Sequence, residues 1–120
     1  MLGNDFDLHE QARHYIAMEE AELYASLVPE ADRDAAAFAP GGLVARGKEL
    51  FGSIWRDISG AVCGYYRQHE KTVSTQVDLA VLLATPLLGN PVVAGVSAMA
   101  LAALIVKIGV GELCARARNA

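Results

Sequence analysis

The stretch PVVAGVSAMALAALIVKIGVG, residues 91–111, decides how this chain can fold. Lys107 is its single charge. Val92, Val93, Val96, Leu101, Leu104, Ile105, Val106, Ile108 and Val110 are large aliphatics, and burying each gains roughly 1.5–3 kcal/mol. Left in water, these nine together cost on the order of 13–27 kcal/mol. That exceeds the net stability of an ordinary domain, about 5–15 kcal/mol. Exposure is excluded. The segment lies in a bilayer, at the centre of a bundle or against a partner, and the function depends on what covers it. Its length and alanine content argue for helix over strand, from Pro91 to about Ala115.

Immediately upstream, Gly89-Asn90-Pro91 is a turn in which Asn90 can cap and Pro91 fits a first helical position. Before it, Gln76 to about Leu88 reads as another apolar helix, with Thr75 and Asp78 as a start signal and Pro86 bending or ending it. Residues 76–116 therefore read as an apolar helical hairpin. Ala94, Gly95, Ala98, Ala102 and Gly109 permit tight helix contacts within it. Arg116 and Arg118 lie near the negative end of the last helix, where cations are favoured.

Residues 43–70 read as a long amphipathic helix ahead of a polar connection. Leu43, Leu50, Ile54, Ile58, Ala61 and Tyr65 form one row, and Val44, Phe51, Trp55, Val62 and Tyr66 the next. Trp55 suits core packing. Gly60 and Gly64 either break this helix or admit a close neighbour, and close approach is preferred. Residues 1–42 read as an acidic helix from Asp7 to Leu27, opened by Asp7 and Glu10, then a short helix from Pro29 to Phe38. The expected fold is all-α: one domain, a small bundle of four to five helices with the apolar hairpin as its core.

Charge is unevenly spread over the 120 residues, whose net charge is −4. Residues 1–42 carry nine acids and two bases, while residues 43–76 carry three acids and five bases. An acidic third facing a mildly basic remainder suits internal pairing or contact between copies. The overall field gives no help to a nucleic-acid partner. Cys63 and Cys114 lack metal-like spacing and read as buried reduced thiols of a cytosolic protein. The acidic, polar N-terminal stretch matches neither a secretory signal nor a transit peptide. The expected location is cytoplasmic, with an inner-membrane hairpin, both termini cytoplasmic, as the alternative.

No reading of catalytic, cofactor or metal chemistry emerges. His9 and His14 are five apart and do not share a helix face, so they read as surface histidines. Glu19, Glu20, Glu22, Glu30, Asp32 and Asp34 read as a solvated acidic face or a docking surface for a basic partner. The partner-contact candidates are Glu19, Glu20, Glu22, Arg46, Arg56, Tyr65 and Tyr66. Three fates compete for the hairpin: the centre of a soluble bundle, a membrane span, or a hairpin that converts between the two, as in colicin-type pore-forming domains. The bundle is preferred. The wide apolar face of residues 43–66 needs a large partner surface, and Lys107 is awkward in lipid.

The stretches GKELFGSIWRDISGAVC (Gly47–Cys63) and LLATPLLGNPVVAGVSAMALAALIVKIGVGELC (Leu82–Cys114) resemble a loose group of small bacterial proteins without an assigned activity. The shared pattern is a helix ending in Val-Cys, a hairpin turned by Leu-Gly-x-Pro, and Lys-x-Gly before a final Cys. Such proteins occur as short companions or appended modules, some near bacterial conflict and defence genes. The resemblance implies an accessory module and supplies no catalytic residue. Together these readings imply a non-enzymatic module that associates with itself or with a larger protein. The alternative is a small membrane-inserting effector.

Overall fold

The computed structural model describes residues 3–38, 40–93 and 96–119, with side chains from residue 7 to 117. Among these the chain is all helical: α1 Gly3–Ile16, α2 Glu20–Ser26, α3 Arg33–Phe38, α4 Gly42–His69, α5 Gln76–Leu87, α6 Ala98–Ile108 and α7 Val110–Asn119. Short 3-10 turns cover Glu30–Asp32, Glu70–Thr72 and Pro91–Val93. Ala94, Gly95 and the side chain of Arg118 lie outside the described residues.

Seven described helices replace the expected four or five because two of the expected long helices break. The run 7–27 breaks at Ala17–Glu19. Glu19 turns extended (ψ 155) and starts α2, and the Glu22 carboxylate accepts from the Glu19 N–H at 3.4 Å. Acids in that first turn suit the positive helix end. The run 91–115 breaks twice. Ser97 caps α6 by accepting from the Ala100 N–H at 3.1 Å. At Gly109 (φ +117) the chain turns by 86° into α7. The expected single helix from Pro91 to Ala115 is thus corrected to a turn and two helices. No single described helix is long and apolar enough to cross a membrane; α6 and α7 together have the length and composition of a broken span.

The core centres on α6. Every residue from Met99 to Val106 is 6% exposed or less. α5 runs beside α6, α1 crosses both, α2 wedges between α4 and α6, and α4 closes the other side of α5. Phe51, Ile54, Ile58, Val62 and Cys63 form the buried stripe of α4. Asn90 and Thr75 act as the spacing predicts: Asn90 Oδ1 accepts from the Val92 N–H at 2.9 Å, and Thr75 Oγ1 accepts from the Asp78 N–H at 3.0 Å.

Close helix approach occurs at Gly47, not at Gly60 or Gly64. A Cβ on Gly47 would sit 1.9 Å from the Tyr24 carbonyl oxygen, whereas one on Gly60 or Gly64 meets nothing within 4 Å. α4 runs unbroken through both. Two further expectations change. Cys63 and Cys114 form a disulfide instead of two reduced thiols, because the turn at Gly109 lays α7 back across α4 (Cα–Cα 5.6 Å). His9 is not merely a surface residue: its Nε2 lies 3.1 Å from Asp78 Oδ1, joining α1 to the first turn of α5.

Candidate functional site

The disulfide fixes α7 against the C-terminal half of α4, and the two helices leave a groove between them. It is lined by Trp55, Arg56, Ser59, Leu113, Arg116 and Ala117, with a volume of about 460 Å³. α4 supplies Trp55, Arg56 and Ser59 from one turn, since residues three and four apart share a face. α7 supplies Leu113, Arg116 and Ala117 by the same spacing. The floor is apolar. Leu113 is 7% exposed. The half-buried Trp55 indole stacks on Phe51, with ring centroids 6.2 Å apart and planes 10° apart. Phe51 in turn meets Tyr24 edge-on at 6.0 Å, so the indole is braced from behind by an aromatic row reaching α2.

Two guanidinium groups flank this floor. Arg56 Nε donates to the Gly52 carbonyl at 3.5 Å, a long bond within its own helix. Arg116 stands 3.8 Å from Glu112, both 74% exposed, a pairing of little energetic weight. Each guanidinium carries five N–H donors in a planar fork, so most of that donor capacity faces the groove and solvent. An aromatic-backed slot with a cation on either side can receive an apolar side chain and a carboxylate together. One of several further concavities, about 330 Å³ at the α5–α6 turn, is lined by Leu87, Leu88 and Pro91 among others, with Asn90 as its polar side chain. Asn90 is already engaged by the Val92 N–H.

Of the residues expected to contact a partner, the structure brings only Arg56 into the groove. Glu19, Glu20 and Glu22 lie exposed at the start of α2. Arg46 pairs with Glu49 at 3.2 Å on exposed α4 surface. Tyr65 packs against the His69 ring, centroids 4.3 Å apart, and Tyr66 leans on the core. These residues occupy separate places and do not form one surface. Trp55, read from sequence as core, is half in the core and half in the groove. The α7 wall escapes sequence reasoning, since a straight helix through Gly109 would carry Leu113 and Arg116 away from α4. The available signal is Gly109 itself, a helix-breaking residue at the point where the apolar run gives way to charge.

The six acids from Glu19 to Asp34 are exposed around α2 and α3. The Tyr24 phenol beneath them is raised above its usual 10.0, first by burial and then by the Glu20 carboxylate. No family model, no curated protein and no solved structure matches the chain.

Proposed function

We propose that this chain is a non-enzymatic association module that docks a polypeptide segment bearing an aromatic side chain and a carboxylate. The observation that carries this reading is the convergence of Trp55, Leu113 and Ala117 with Arg56 and Arg116 in one groove. Large hydrophobics are also exposed at Phe38, Leu88 and Val92, but no cation lines the concavity beside Leu88. Trp55 is the sole tryptophan, so its fluorescence reports the groove directly. Titration with a blocked hexapeptide containing Asp and Phe should give a saturable change. Arg56→Glu and Arg116→Glu should each abolish it, and a hexapeptide with Lys in place of Asp should give none. A silent Asp-Phe peptide, or an equal response to the Lys peptide, overturns the reading.

The membrane-inserting alternative draws on the broken span formed by α6 and α7. It requires opening a helix whose residues Met99–Val106 are all buried in protein, and freeing α7 from α4 at Cys63–Cys114. The docking reading requires neither step. A disulfide persists in oxidising compartments, whereas reducing ones keep such cysteines as thiols. Alkylation of thiols in intact cells, before lysis, decides between these locations.

A further inference from the structure

We propose that the groove receives a second copy of this chain, through Phe38 and Asp34 of α3. This rests on the docking reading above and names its partner. Phe38 is the most exposed large hydrophobic among the described residues, at 91%. Asp34 precedes it by four residues, so both lie on one helix face. Asp34 is exposed and makes no salt bridge among the described residues. Arg33, its neighbour in sequence, is turned away to donate to the Ala25 carbonyl at 3.4 Å, which also fastens α3 to α2. The result is an aromatic knob and a carboxylate one turn apart on an anchored helix.

The groove is the complement of that face. Trp55, Leu113 and Ala117 offer an apolar seat for the Phe38 ring. Arg56 and Arg116 offer guanidinium donors for the Asp34 carboxylate. The wider charge agrees: residues 1–42 hold nine acids against two bases, while the groove lining holds two cations and no acid, and the Glu112 carboxylate 3.8 Å from Arg116 is an exposed pairing of little weight. The chain's own Phe38 is exposed, so it does not fill its own groove. Knob and groove are different surfaces, so the contact either closes reciprocally between two copies or runs head to tail into a larger ring or an open chain.

The test uses the whole chain and two surface variants, Phe38→Ser and Arg56→Glu. Both positions are exposed, and circular dichroism checks that each variant keeps its helices. In sedimentation velocity from micromolar to millimolar concentration, the wild type should associate into a dimer or a larger assembly. Each variant alone should remain at the 12.7 kDa monomer, with association weakened at least tenfold. Mixed together, they should stop at a heterodimer, because one supplies an intact groove and the other an intact knob. A wild type that stays monomeric throughout overturns the proposal, as does a Phe38→Ser variant that assembles like the wild type. If the wild type is monomeric while the Asp-Phe hexapeptide still perturbs Trp55, self-docking falls and the docking reading stands. If the hexapeptide is also silent, both fall.

Discussion

The ammonium of Lys107 donates to the carbonyl oxygen of Ile16 at 2.9 Å, across 91 residues of sequence. This contact explains the lone charge of the apolar stretch. α1 ends at Ile16, where its last carbonyls have no helical partner and its dipole is negative. A cation reaching out of α6 satisfies that end and holds α1 across the core helix. The break between α1 and α2 is what frees the Ile16 carbonyl for it.

Lys107→Met keeps the side chain's length and removes the charge and the donor. Charge-assisted hydrogen bonds contribute about 1.5–3 kcal/mol, and partial exposure of Lys107 reduces this. Urea unfolding should show a loss of about 1–2 kcal/mol with an unchanged m-value. Hydrogen exchange should quicken at the end of α1 before it changes in α6. An unchanged midpoint would show that the contact does not contribute to stability.

The glycines of α4 should respond with opposite signs. Gly47→Ala drives a Cβ into the Tyr24 carbonyl, a backbone group that cannot rotate away. Thermal and urea unfolding should register a loss of about 2–3 kcal/mol. Gly52→Ala, Gly60→Ala and Gly64→Ala meet open space in a continuous helix. Each should add about 0.5–1 kcal/mol, chiefly by restricting the unfolded chain. Equal effects at Gly47 and Gly60 would contradict the α2–α4 packing.

The Cys63–Cys114 bond spans a sequence separation of 51. A loop of that size constrains the unfolded chain by on the order of 4 kcal/mol in the chain-entropy treatment. Reduction, or Cys63→Ala with Cys114→Ala, should lower stability by up to that amount. Amide exchange should rise in α7 while α6 stays protected. The Trp55 response to peptide should weaken in parallel, because the groove loses a wall. A reduced protein that binds as before would separate the groove from the disulfide.

Burial, and secondarily the Glu20 carboxylate, raise the Tyr24 phenol above 10.0. The folded state therefore holds this proton more tightly than the unfolded state. The resulting stability is present below pH 10 and lost as pH rises beyond it. Comparing the alkaline ultraviolet titration of the wild type with Tyr24→Phe isolates this phenol among the four tyrosines. Tyr24→Phe should flatten the alkaline fall in stability. Glu20→Gln should bring the midpoint down only part of the way, because burial is the larger cause.

Much of the architecture is legible wherever local chemistry acts alone. The Thr75 cap, the Asn90 turn and the apolar face of α4 follow from side-chain hydrogen bonding and helical period. The breaks are not legible in this way. Ala17-Met18-Glu19 contains no glycine or proline, and only tertiary packing, together with the acidic Glu19–Glu22 start, makes a bend there favourable. Gly109 is visible as a residue, but the direction of its 86° turn is not. That direction brings Cys114 to Cys63 and Arg116 to Trp55. Both the disulfide and the groove therefore depend on a turn whose direction the local sequence does not encode. The charge of Arg56 is legible in the sequence, but the neighbours that give it a role are not.

Hydrogen exchange of the intact chain, in detergent-free buffer with and without lipid vesicles, tests the central claim most directly. If protein covers the apolar helix Ala98–Ile108, then Met99–Val106 should be the slowest-exchanging amides in buffer alone, and vesicles should leave them unchanged. Rapid exchange of that helix in buffer, with protection gained only when vesicles are added, would contradict the account.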